Sequence, residues 1–425
     1  MQRQHFVPGK VETLSLQEPD IGDLEVVEIE HNGFVMNVIS YEVTFYTCDV
    51  SHASTDANVS LILYGTLDNI GIRKLKRKGK LTRLHIEHDN SMIFFDWFLD
   101  KVEVINMDTN ETIGFLCNRW LGFSFNQPKF CATAIWNSNG ITFANRSIVG
   151  ENPFAIFVST SNTIYVANKE NNTIVMWEEE SVNPTKVITG NFTVSESLSV
   201  TSNGDIYIDD GFKNGRVQKW IAQTNTFVTV MNVNSSCYGL FVDIHDTLYC
   251  SMTQHHQVLK RSLNDSVMTS NRVAAGTGIY GSASSQLYSP HGIFVDVNFD
   301  LYVADCYNDR VQLFQSGESN GITVAGSTSL NPTITLRCPS GIILDVEKYL
   351  FIVDSGNDRI VGSSLNGFRC LVGCDESGSQ SNQLYNPFSF SFDRSGNIFV
   401  TDSYNHRIQK FQYFEESCNK FKMLE

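Results

Sequence analysis

The feature that most constrains this chain is a sequence unit that recurs six times in its C-terminal two-thirds. The copies align on apolar runs that begin at Ile164, Ile206, Leu248, Leu301, Leu350 and Ile398, with spacings of 42, 42, 53, 49 and 48 residues. Each copy holds two short apolar runs joined by a polar turn, as in LYVADCYNDRVQLFQ, and this pattern predicts a β-hairpin. A further apolar run precedes each hairpin and another follows it. The sequence therefore predicts four strands in each unit of roughly 47 residues, and such units bury their apolar faces by stacking on their neighbours.

The turn of the hairpin carries three polar residues at fixed positions in the last three copies. An aspartate ends the first run, an asparagine follows, and an arginine opens the second run: Asp305, Asn308 and Arg310; Asp354, Asn357 and Arg359; Asp402, Asn405 and Arg407. An aspartate here can accept turn amides and pair with the arginine across the hairpin, which predicts a fixed turn. The second copy has one extra residue before Arg216, and the third has Gln257 in place of the arginine, so we expect those two turns to be looser.

These units resemble NHL repeats, and in that family six of them form a closed β-propeller. The resemblance implies a propeller at about 125–415, followed by a polar tail at 416–425. The sixth copy ends near Gln412 after three strands. We therefore expect the run Phe130–Trp136 to supply the outer strand of the last blade, because a closed ring leaves no unpaired strand edge.

The N-terminal third does not follow the repeat. Alternating runs such as YEVTFYT, ANVSLILYG, LTRLHIEHD and FLDKVEVIN predict strands of an antiparallel sandwich. Together with the closing segment FLCNRWL, they resemble the PLAT (LH2) domain in four pieces that follow the order of that family. The resemblance covers about 38–124, with a much shortened stretch between Gly65 and Leu81, and leaves 1–37 as an unassigned lead-in. The fold class expected for the whole chain is all-β, a PLAT-like sandwich followed by a six-bladed propeller.

A basic stretch in this N-terminal region is a candidate lipid-binding site. It contains Arg73, Lys74, Lys76, Arg77, Lys78, Lys80 and Arg83, with no acidic residue among them. Such a cluster can bind anionic headgroups at about 1 kcal/mol per basic residue. Phe94 and Phe95, if they are exposed at a loop tip, could enter the interfacial layer beside it. The alternatives are a solvated basic loop and two phenylalanines packed under the sandwich.

Some PLAT domains bind calcium through acidic loop residues, so the resemblance suggests calcium as a possible cofactor. Asp49, Asp56 and Asp89 stand at matching loop positions, and carboxylate oxygens suit this ion. For Asp56, capping of a turn is the alternative.

Charge and cysteine content bear on partners and on the cellular compartment. The 46 acidic and 31 basic residues give a formal net charge of −15, and the propeller arginines belong to turns, so we do not expect nucleic-acid binding. No apolar run reaches the roughly 18 residues of a membrane span, and no signal peptide is recognisable, so we expect a cytoplasmic location by default, with secretion left open. Among ten cysteines, Cys237 and Cys250 could bridge one hairpin, and Cys370 and Cys374 form either a local disulfide or free thiols.

An enzymatic function is the alternative to a binding function. In the NHL-like peptidylglycine amidating lyases, histidines at the starts of inner strands hold zinc in the central channel. Here His291 alone occupies such a place, and the other copies offer Phe154, Leu198, Tyr238, Ser340 and Phe388 or Ser389. One histidine does not make a zinc site. We therefore expect a non-enzymatic protein whose propeller binds a protein or small ligand and whose sandwich binds a lipid surface or a second partner. The alternative is a propeller hydrolase or lyase with a divalent metal in the channel.

Overall fold

The structure is a computed structural model in which the chain divides into two compact units, Met1–Ser124 and Phe125–Glu425. It describes residues 128–418 apart from 194, 265–269, 330–333 and 346. Before residue 128 it describes the backbone of seven strands.

The N-terminal unit consists of two antiparallel sheets. Its strands are β1 (Val11–Ser15), β2 (Tyr41–Tyr46), β3 (Val59–Gly65), β4 (Asp68–Asn69), β5 (Leu81–His88), β6 (Trp97–Asn106) and β7 (Glu111–Leu121). One sheet has the order β1-β2-β6-β7 and the other the order β4-β3-β5. The alternating runs that predicted a sandwich correspond to β2, β3, β5 and β6, while β1 lies in the lead-in for which no element was expected.

The C-terminal unit is a six-bladed β-propeller in which every blade is a four-stranded antiparallel sheet. Blade 1 contains β10 (Ile156–Val158), β11 (Ile164–Asn168), β12 (Thr173–Trp177) and β13 (Lys186–Thr189). Blade 2 contains β14 (Leu198–Val200), β15 (Ile206–Asp209), β16 (Arg216–Ile221) and β17 (Thr226–Asn232). Blade 3 contains β18 (Gly239–Val242), β19 (Thr247–Met252), β20 (Gln257–Ser262) and β21 (Arg272–Ala275).

The last three blades have the same order. Blade 4 contains β22 (Pro290–Val295), β23 (Leu301–Asp305), β24 (Arg310–Phe314) and β25 (Ile322–Gly326). Blade 5 contains β26 (Pro339–Leu344), β27 (Leu350–Asp354), β28 (Arg359–Ser364) and β29 (Gly367–Val372). Blade 6 contains β30 (Pro387–Phe392), β31 (Ile398–Asp402), β32 (Arg407–Phe411) and, from the start of the propeller, β9 (Ile141–Ala144). The all-β class and the six blades are thus as the repeat predicts.

The second strand of each blade is buried along its whole length because neighbouring blades cover both of its faces. In β23 and β27 all five residues are buried. The core runs continuously from one blade to the next, since Phe241 of blade 3, Phe294 of blade 4 and Ile342 of blade 5 belong to one apolar cluster. At about 25 cal/mol per Å² of buried apolar surface, this stacking is the main stabilising term of the ring.

The ring is closed by β9, which corrects the expectation that Phe130–Trp136 closes it. Ile141 pairs with Lys410 and Ala144 with Ile408, so β9 is the outer strand of blade 6. The run Phe130–Trp136 contains a turn, in which Ala134 donates its backbone N–H to the Cys131 carbonyl at 3.0 Å, and this turn prevents a continuous strand. Only β8 (Ile135–Trp136) is extended, and it pairs with β33 (Tyr413–Phe414).

We call β8, β33 and the disulfide Cys131–Cys418 the clasp. Behind it, the Phe130 ring packs against the rings of Trp136, Phe351, Phe392 and Tyr413 at centroid distances of 4.9 to 5.3 Å. The 3₁₀ helix Glu415–Cys418 carries the second cysteine, so the start of the segment expected to be a polar tail is tied to the propeller.

Four disulfides pair all eight cysteines between residues 128 and 418: Cys131–Cys418, Cys237–Cys250, Cys306–Cys338 and Cys370–Cys374. The bridge expected for the hairpin at Cys237 is therefore present, and the pair at Cys370 takes the disulfide rather than the thiol alternative. In the described part of the chain, none of the helices is long and apolar enough to cross a bilayer.

Candidate binding site at the turn face

The turns between the second and third strands of the six blades lie at one end of the propeller, which we call the turn face. Each turn has one residue in the left-handed conformation at the same position, with φ between 51° and 55°: Asn172, Gly215, His256, Asp309, Asp358 and His406. Asparagine, aspartate and histidine are the non-glycine residues that tolerate this region best, which explains the choice at this position.

The three predicted aspartate–arginine pairs are present at the turns. The arginine Nε lies 2.8, 2.8 and 2.7 Å from the aspartate Oδ2 in the pairs Asp305–Arg310, Asp354–Arg359 and Asp402–Arg407. Asp305 also accepts the backbone N–H of Tyr288 at 2.6 Å and a side-chain N–H of Asn308 at 2.8 Å. Burial raises the pKa of Asp305, and these bonds and Arg310 oppose that shift. In blade 2 the pair is Asp210–Arg216, at 2.6 Å.

At four blade interfaces the left-handed residue also bonds to the next blade. Asp309 accepts the backbone N–H of Cys338 at 2.8 Å, and Asp358 accepts that of Asn386 at 2.5 Å. His256 and His406 do the same through Nδ1, each at 3.2 Å, for Ser289 and Asn152. We call these bonds staples. Among the described residues, no staple joins blade 1 to blade 2 or blade 2 to blade 3, and at the second of these interfaces Gly215 has no side chain to provide one.

In blades 3 to 6 the first residue of each turn forms a second link between blades. Thr253, Ser355 and Ser403 donate their hydroxyls to the carbonyls of Pro290, Pro387 and Pro153 at 2.8, 2.6 and 2.7 Å. In blade 4 this residue is Cys306, which makes the disulfide to Cys338 of blade 5. In blade 1 it is Lys169, whose Nζ lies 3.7 Å from the centroid of the Phe154 ring.

Six residues at or just before the inner strands surround the channel at the turn face, and we call them the collar. They are Phe154, Glu196, Tyr238, Ser340 and Phe388, which line the channel, and His291, whose ring packs against two of them. Glu196, rather than Leu198, takes the place in blade 2, which corrects the register inferred from the sequence. The His291 ring packs against Tyr238 at 5.1 Å and Phe388 at 5.4 Å, and Phe388 packs against Phe154 at 4.6 Å. The rings narrow the channel here to a space of about 70 Å³.

Glu196 is the charged member of the collar, and only 8% of it is exposed. Its Oε2 has no hydrogen-bond partner, and no described ion pair includes it. Burial raises the pKa of Glu196, and the positive charge of Lys169 opposes this. Burial lowers the pKa of Lys169, and Glu196 opposes that in turn. The two charges therefore interact electrostatically, and one oxygen of the carboxylate remains buried without a hydrogen bond to any described residue.

A second buried acid, Asp209, stands beside Glu196. It is fully buried and accepts the backbone N–H groups of Cys237 at 2.9 Å and Glu196 at 3.4 Å. Burial raises the pKa of Asp209 well above its usual range. Tyr238 faces both acids, and burial together with their charges raises its pKa to about 12. Its hydroxyl is thus a permanent donor at physiological pH.

A cavity of about 280 Å³ opens next to Glu196, between the turns of blades 2 and 3. Its lining consists of Thr193, Glu196, Phe212, Lys213, Ser235, Ser236, Tyr238, Thr253 and Gln254. This is the interface where the extra turn residue of blade 2 lies and where no staple is described. Five hydroxyls, one amide, one carboxylate and the Lys213 ammonium group therefore share the cavity with the Phe212 ring.

Exposed aromatic rings lie on the turn face, and we call them the rim. Phe212, Tyr280, Tyr307, Tyr385 and Tyr404 are between 47% and 63% exposed. Phe212, Tyr307 and Tyr404 belong to the turns themselves. Tyr280 packs against His256 and Tyr385 packs against Tyr404, at 5.7 and 5.1 Å. A surface with large rings beside a polar cavity has the composition of a protein-binding site.

The collar histidine is placed for packing. Burial lowers the pKa of His291 to about 4, so the ring is neutral, and its Nδ1 has no hydrogen-bond partner. Within the described residues, the group that could hold a metal ion is His291 with Cys306 and Cys338. The two sulfurs are joined in a disulfide, so they do not provide thiolate ligands.

The sites proposed in the N-terminal region lie outside the described residues. This holds for the basic residues Arg73, Lys74, Lys76, Arg77, Lys78 and Lys80, for Phe94 and Phe95, and for the acidic residues Asp49, Asp56 and Asp89. They remain predictions.

Sequence reasoning missed Glu196, Lys169 and Asp209. Each departs from what the other blades carry at its position: Lys169 stands where Thr253, Ser355 and Ser403 stand, and Asp209 where Ala304 and Val353 stand. A search for departures from the repeat, rather than for the repeat itself, would have found all three.

The ring of four-stranded blades, with an Asp–Asn–Arg turn repeated in blades 4 to 6, is a six-bladed β-propeller whose repeat resembles the NHL type. The sequence of the last blade matches the family model of the NHL repeat over residues 384–411. The N-terminal region matches lipoxygenase homology (PLAT/LH2) domain proteins.

Related sequences match a fifth of the chain, whereas solved structures match most of its length. The human lipoxygenase homology domain-containing protein 1 (Homo sapiens) is 32% identical over 109 residues, which cover 20% of this chain and 5% of that protein. This chain therefore spans a small fraction of the relatives' length. A structure of unknown function from Bacteroides thetaiotaomicron superposes with a TM-score of 0.53 at 10% identity, over 89% of this chain and 95% of its own. An auxiliary nutrient binding protein from Bacteroides ovatus gives 0.51 at 14% identity with the same coverages. At these identities the structural matches show the fold alone.

Proposed function

We propose that this chain is a non-enzymatic binding protein whose propeller binds a protein partner at the turn face. The observation that carries the proposal is the rim, a set of exposed aromatic rings on the turn face. One of them, Phe212, lines the cavity that holds the buried, incompletely bonded Glu196 carboxylate. An NHL propeller joined to an LH2-like region is also consistent with an interaction scaffold.

The turn face suits this role because it combines a rigid frame with variable side chains. Buried aspartate–arginine pairs, staples and the disulfide Cys306–Cys338 fix the backbone of the turns in blades 4 to 6. Rings that project from a fixed backbone lose little conformational freedom when a partner covers them, which favours affinity.

The proposal is tested by removing rim rings that lie outside the cavity. In the triple variant Tyr280→Ala, Tyr307→Ala and Tyr404→Ala, we expect loss of the partners that wild-type protein captures, compared by quantitative mass spectrometry. The matched control is Val187→Ala, Val228→Ala and Val273→Ala, three exposed valines on outer strands. Equal capture by the rim variant and the wild type would contradict the proposal.

We further propose that the N-terminal region is a tether to an anionic membrane surface through its basic stretch. Vesicles of phosphatidylserine and phosphatidylcholine are sedimented with the full chain, with and without calcium and across salt. We expect salt-sensitive binding that weakens when Lys74, Lys76, Lys78 and Lys80 are changed to glutamine. Unchanged binding of this variant, or equal binding to pure phosphatidylcholine, would remove the basic stretch from the function.

The alternative is a hydrolase or lyase with a divalent metal in the channel. It would need ligands at the collar, where Glu196 and His291 are the candidates. Metal analysis of protein purified without chelators distinguishes the two functions: a stoichiometric metal that Glu196→Gln and His291→Ala release would replace the proposed binding function by the enzymatic one.

A further inference from the structure

The Glu196 carboxylate is buried, and one of its oxygens has no hydrogen-bond partner within the described part of the protein. Its Oε2 is buried without a hydrogen bond, although buried carboxylates in folded proteins are normally paired or hydrogen-bonded. Ser340 of the collar differs in this respect, since it donates its hydroxyl to the Phe388 carbonyl at 2.7 Å.

The groups around this carboxylate favour a positive charge. Asp209 adds a second acid, and the ring of Tyr238 lines the same cavity and can attract a cation. A cation–ring contact already exists nearby, because Lys169 places its Nζ over the Phe154 ring. Lys213, on the turn of blade 2, is the basic residue of the cavity lining, whereas Lys169 is not part of that lining.

The cavity beside Glu196 offers room for more than water. At about 280 Å³ it exceeds the roughly 30 Å³ that one water molecule occupies in the liquid by several-fold. Thr193, Ser235, Ser236 and Thr253 line the approach to the carboxylate with hydroxyls, and Phe212 stands at its edge. The cavity is therefore a polar space with a carboxylate in its wall, which suits a ligand that carries a positive charge.

We propose that this cavity binds an organic cation, a primary ammonium or guanidinium group that donates to Glu196 and packs against Tyr238. The group is presented by a lysine or arginine side chain of the partner at the turn face, or by a free small amine. This inference specifies which chemical group the turn face binds. It rests on the proposed function where the cation is a side chain of the protein partner. Since Lys169 is already near Glu196, the incoming cation supplies the hydrogen bond that Lys169 does not make.

The test uses the full chain and short capped peptides measured by calorimetry. The peptide acetyl-Gly-Gly-Lys-Gly-Gly-amide is compared with the same peptide carrying norleucine, which lacks the charge, and acetyl-lysine, which keeps an N–H donor without charge. We expect the lysine peptide to bind at least about tenfold more tightly than both. Butylamine and agmatine distinguish the sources, because comparable affinity for the free amines indicates a small molecule and selective affinity for the peptide indicates a partner side chain.

The variant Glu196→Gln keeps the size of the side chain and removes its charge. We expect at least a tenfold loss of lysine-peptide affinity with an unchanged or higher melting temperature, whereas Glu318→Gln, at an exposed residue, leaves the affinity unchanged. Equal binding of the lysine and norleucine peptides, or no binding up to about 10 mM, would overturn the inference. The rim variant separates the two proposals: if it captures partners normally while Glu196→Gln loses the lysine peptide, the proposed function fails and the cation site stands.

The cysteines carry a second inference independently of this site. All eight between residues 128 and 418 are in disulfides, and these join the two ends of the ring, blade 4 to blade 5, and two local segments. Disulfides form and persist in oxidising compartments and are rare in reducing ones. We infer that the propeller matures in an oxidising compartment, in place of the cytoplasmic location expected by default.

This is tested by producing the full chain in a reducing cytosol and, with an added leader, in an oxidising secretory pathway. We expect no free thiol among these eight residues in the secreted protein by alkylation and mass spectrometry, and a lower melting temperature or insoluble protein from the cytosol. Cytosolic protein with reduced cysteines and the same melting temperature would overturn the inference.

Discussion

Blades 4 to 6 and blades 1 to 3 are built on one plan but differ at the turn face. In blades 4 to 6 each turn carries aspartate, asparagine and arginine at the same three positions, and each of these turns is stapled to the next blade. Blade 1 has Asn168 and Thr173 instead of the charged pair, blade 3 has Met252 and Gln257, and blade 2 has a longer turn. The cavity beside Glu196 lies entirely in the irregular half, in blades 2 and 3, whereas the rim residues Tyr307, Tyr385 and Tyr404 belong to the regular half. In this repeat protein the regular copies therefore indicate the frame, and the departures from the repeat indicate where the proposed cation site lies.

Removal of the clasp disulfide has the largest expected effect, because it joins the regular half to the start of the ring. Cys131 and Cys418 are 287 residues apart, so their bridge restricts the unfolded chain strongly. We expect Cys131→Ser with Cys418→Ser to lower the free energy of unfolding by about 2–5 kcal/mol in denaturant titration. The matched control, Cys370→Ser with Cys374→Ser, opens a loop of only 4 residues and should cost less. Equal losses would show that chain entropy does not govern these bridges.

The second prediction compares a regular turn with an irregular one. Asp305→Ala leaves the buried Arg310 without its charged partner, and we expect a loss of about 1–3 kcal/mol in the free energy of unfolding. Asn168→Ala in blade 1 removes only neutral hydrogen bonds, to the N–H groups of Glu170 and Asn171 among others, and should cost about 1 kcal/mol. If the two variants lose the same stability, the charged turn is no stronger than the neutral one.

The third prediction concerns the charged pair of the irregular half. Lys169→Ser with Glu196→Ser installs the residue types that blade 5 carries as Ser355 and Ser340. Because replacing buried charges is often neutral or stabilising, we expect a gain of up to about 1 kcal/mol together with loss of lysine-peptide binding. The same removal of charge at Asp305 and Arg310 should lower stability. A destabilised Lys169–Glu196 variant would mean that this pair is structural.

The fourth and smallest prediction uses pH. The staple of His256 needs a neutral ring, and burial, followed by the nearby His255, lowers the pKa of His256 while Asp305 opposes the shift. A histidine whose folded pKa is lowered gives its full contribution above its unfolded pKa of about 6.5 and loses it as the pH falls through the folded value. Between pH 7 and pH 5, we expect the free energy of unfolding of the wild type to fall by about 0.5–1 kcal/mol more than that of His256→Asn, measured by thermal unfolding. His245→Asn, at an exposed histidine in the turn between β18 and β19, serves as the control, and identical pH profiles of wild type and His256→Asn would contradict the role of the ring.

The blades and the charged pairs of their turns could be predicted from the sequence because they recur at regular spacing. Six copies of a hairpin pattern predict six blades, and a charge pair at constant spacing predicts the pairs at Asp305, Asp354 and Asp402. The closing strand was assigned wrongly because Phe130–Trp136 is more apolar than Ile141–Ala144, and apolar content does not reveal the turn at Cys131. Glu196 was missed because blade 2 lacks the proline that opens the inner strand at Pro290, Pro339 and Pro387, so the register moved by two residues.

The pairing of β9 with β32 also sets an order for biosynthesis. A ribosome releases β9 before any strand of blades 1 to 5, yet its partner is among the last strands to be translated. Hairpins of the first five blades can form on the nascent chain, whereas blade 6 can be completed only after translation has passed Phe411. Until then β9 has an unpaired edge, and on a crowded polysome it can pair with the β32 of a neighbouring chain and produce a domain-swapped dimer.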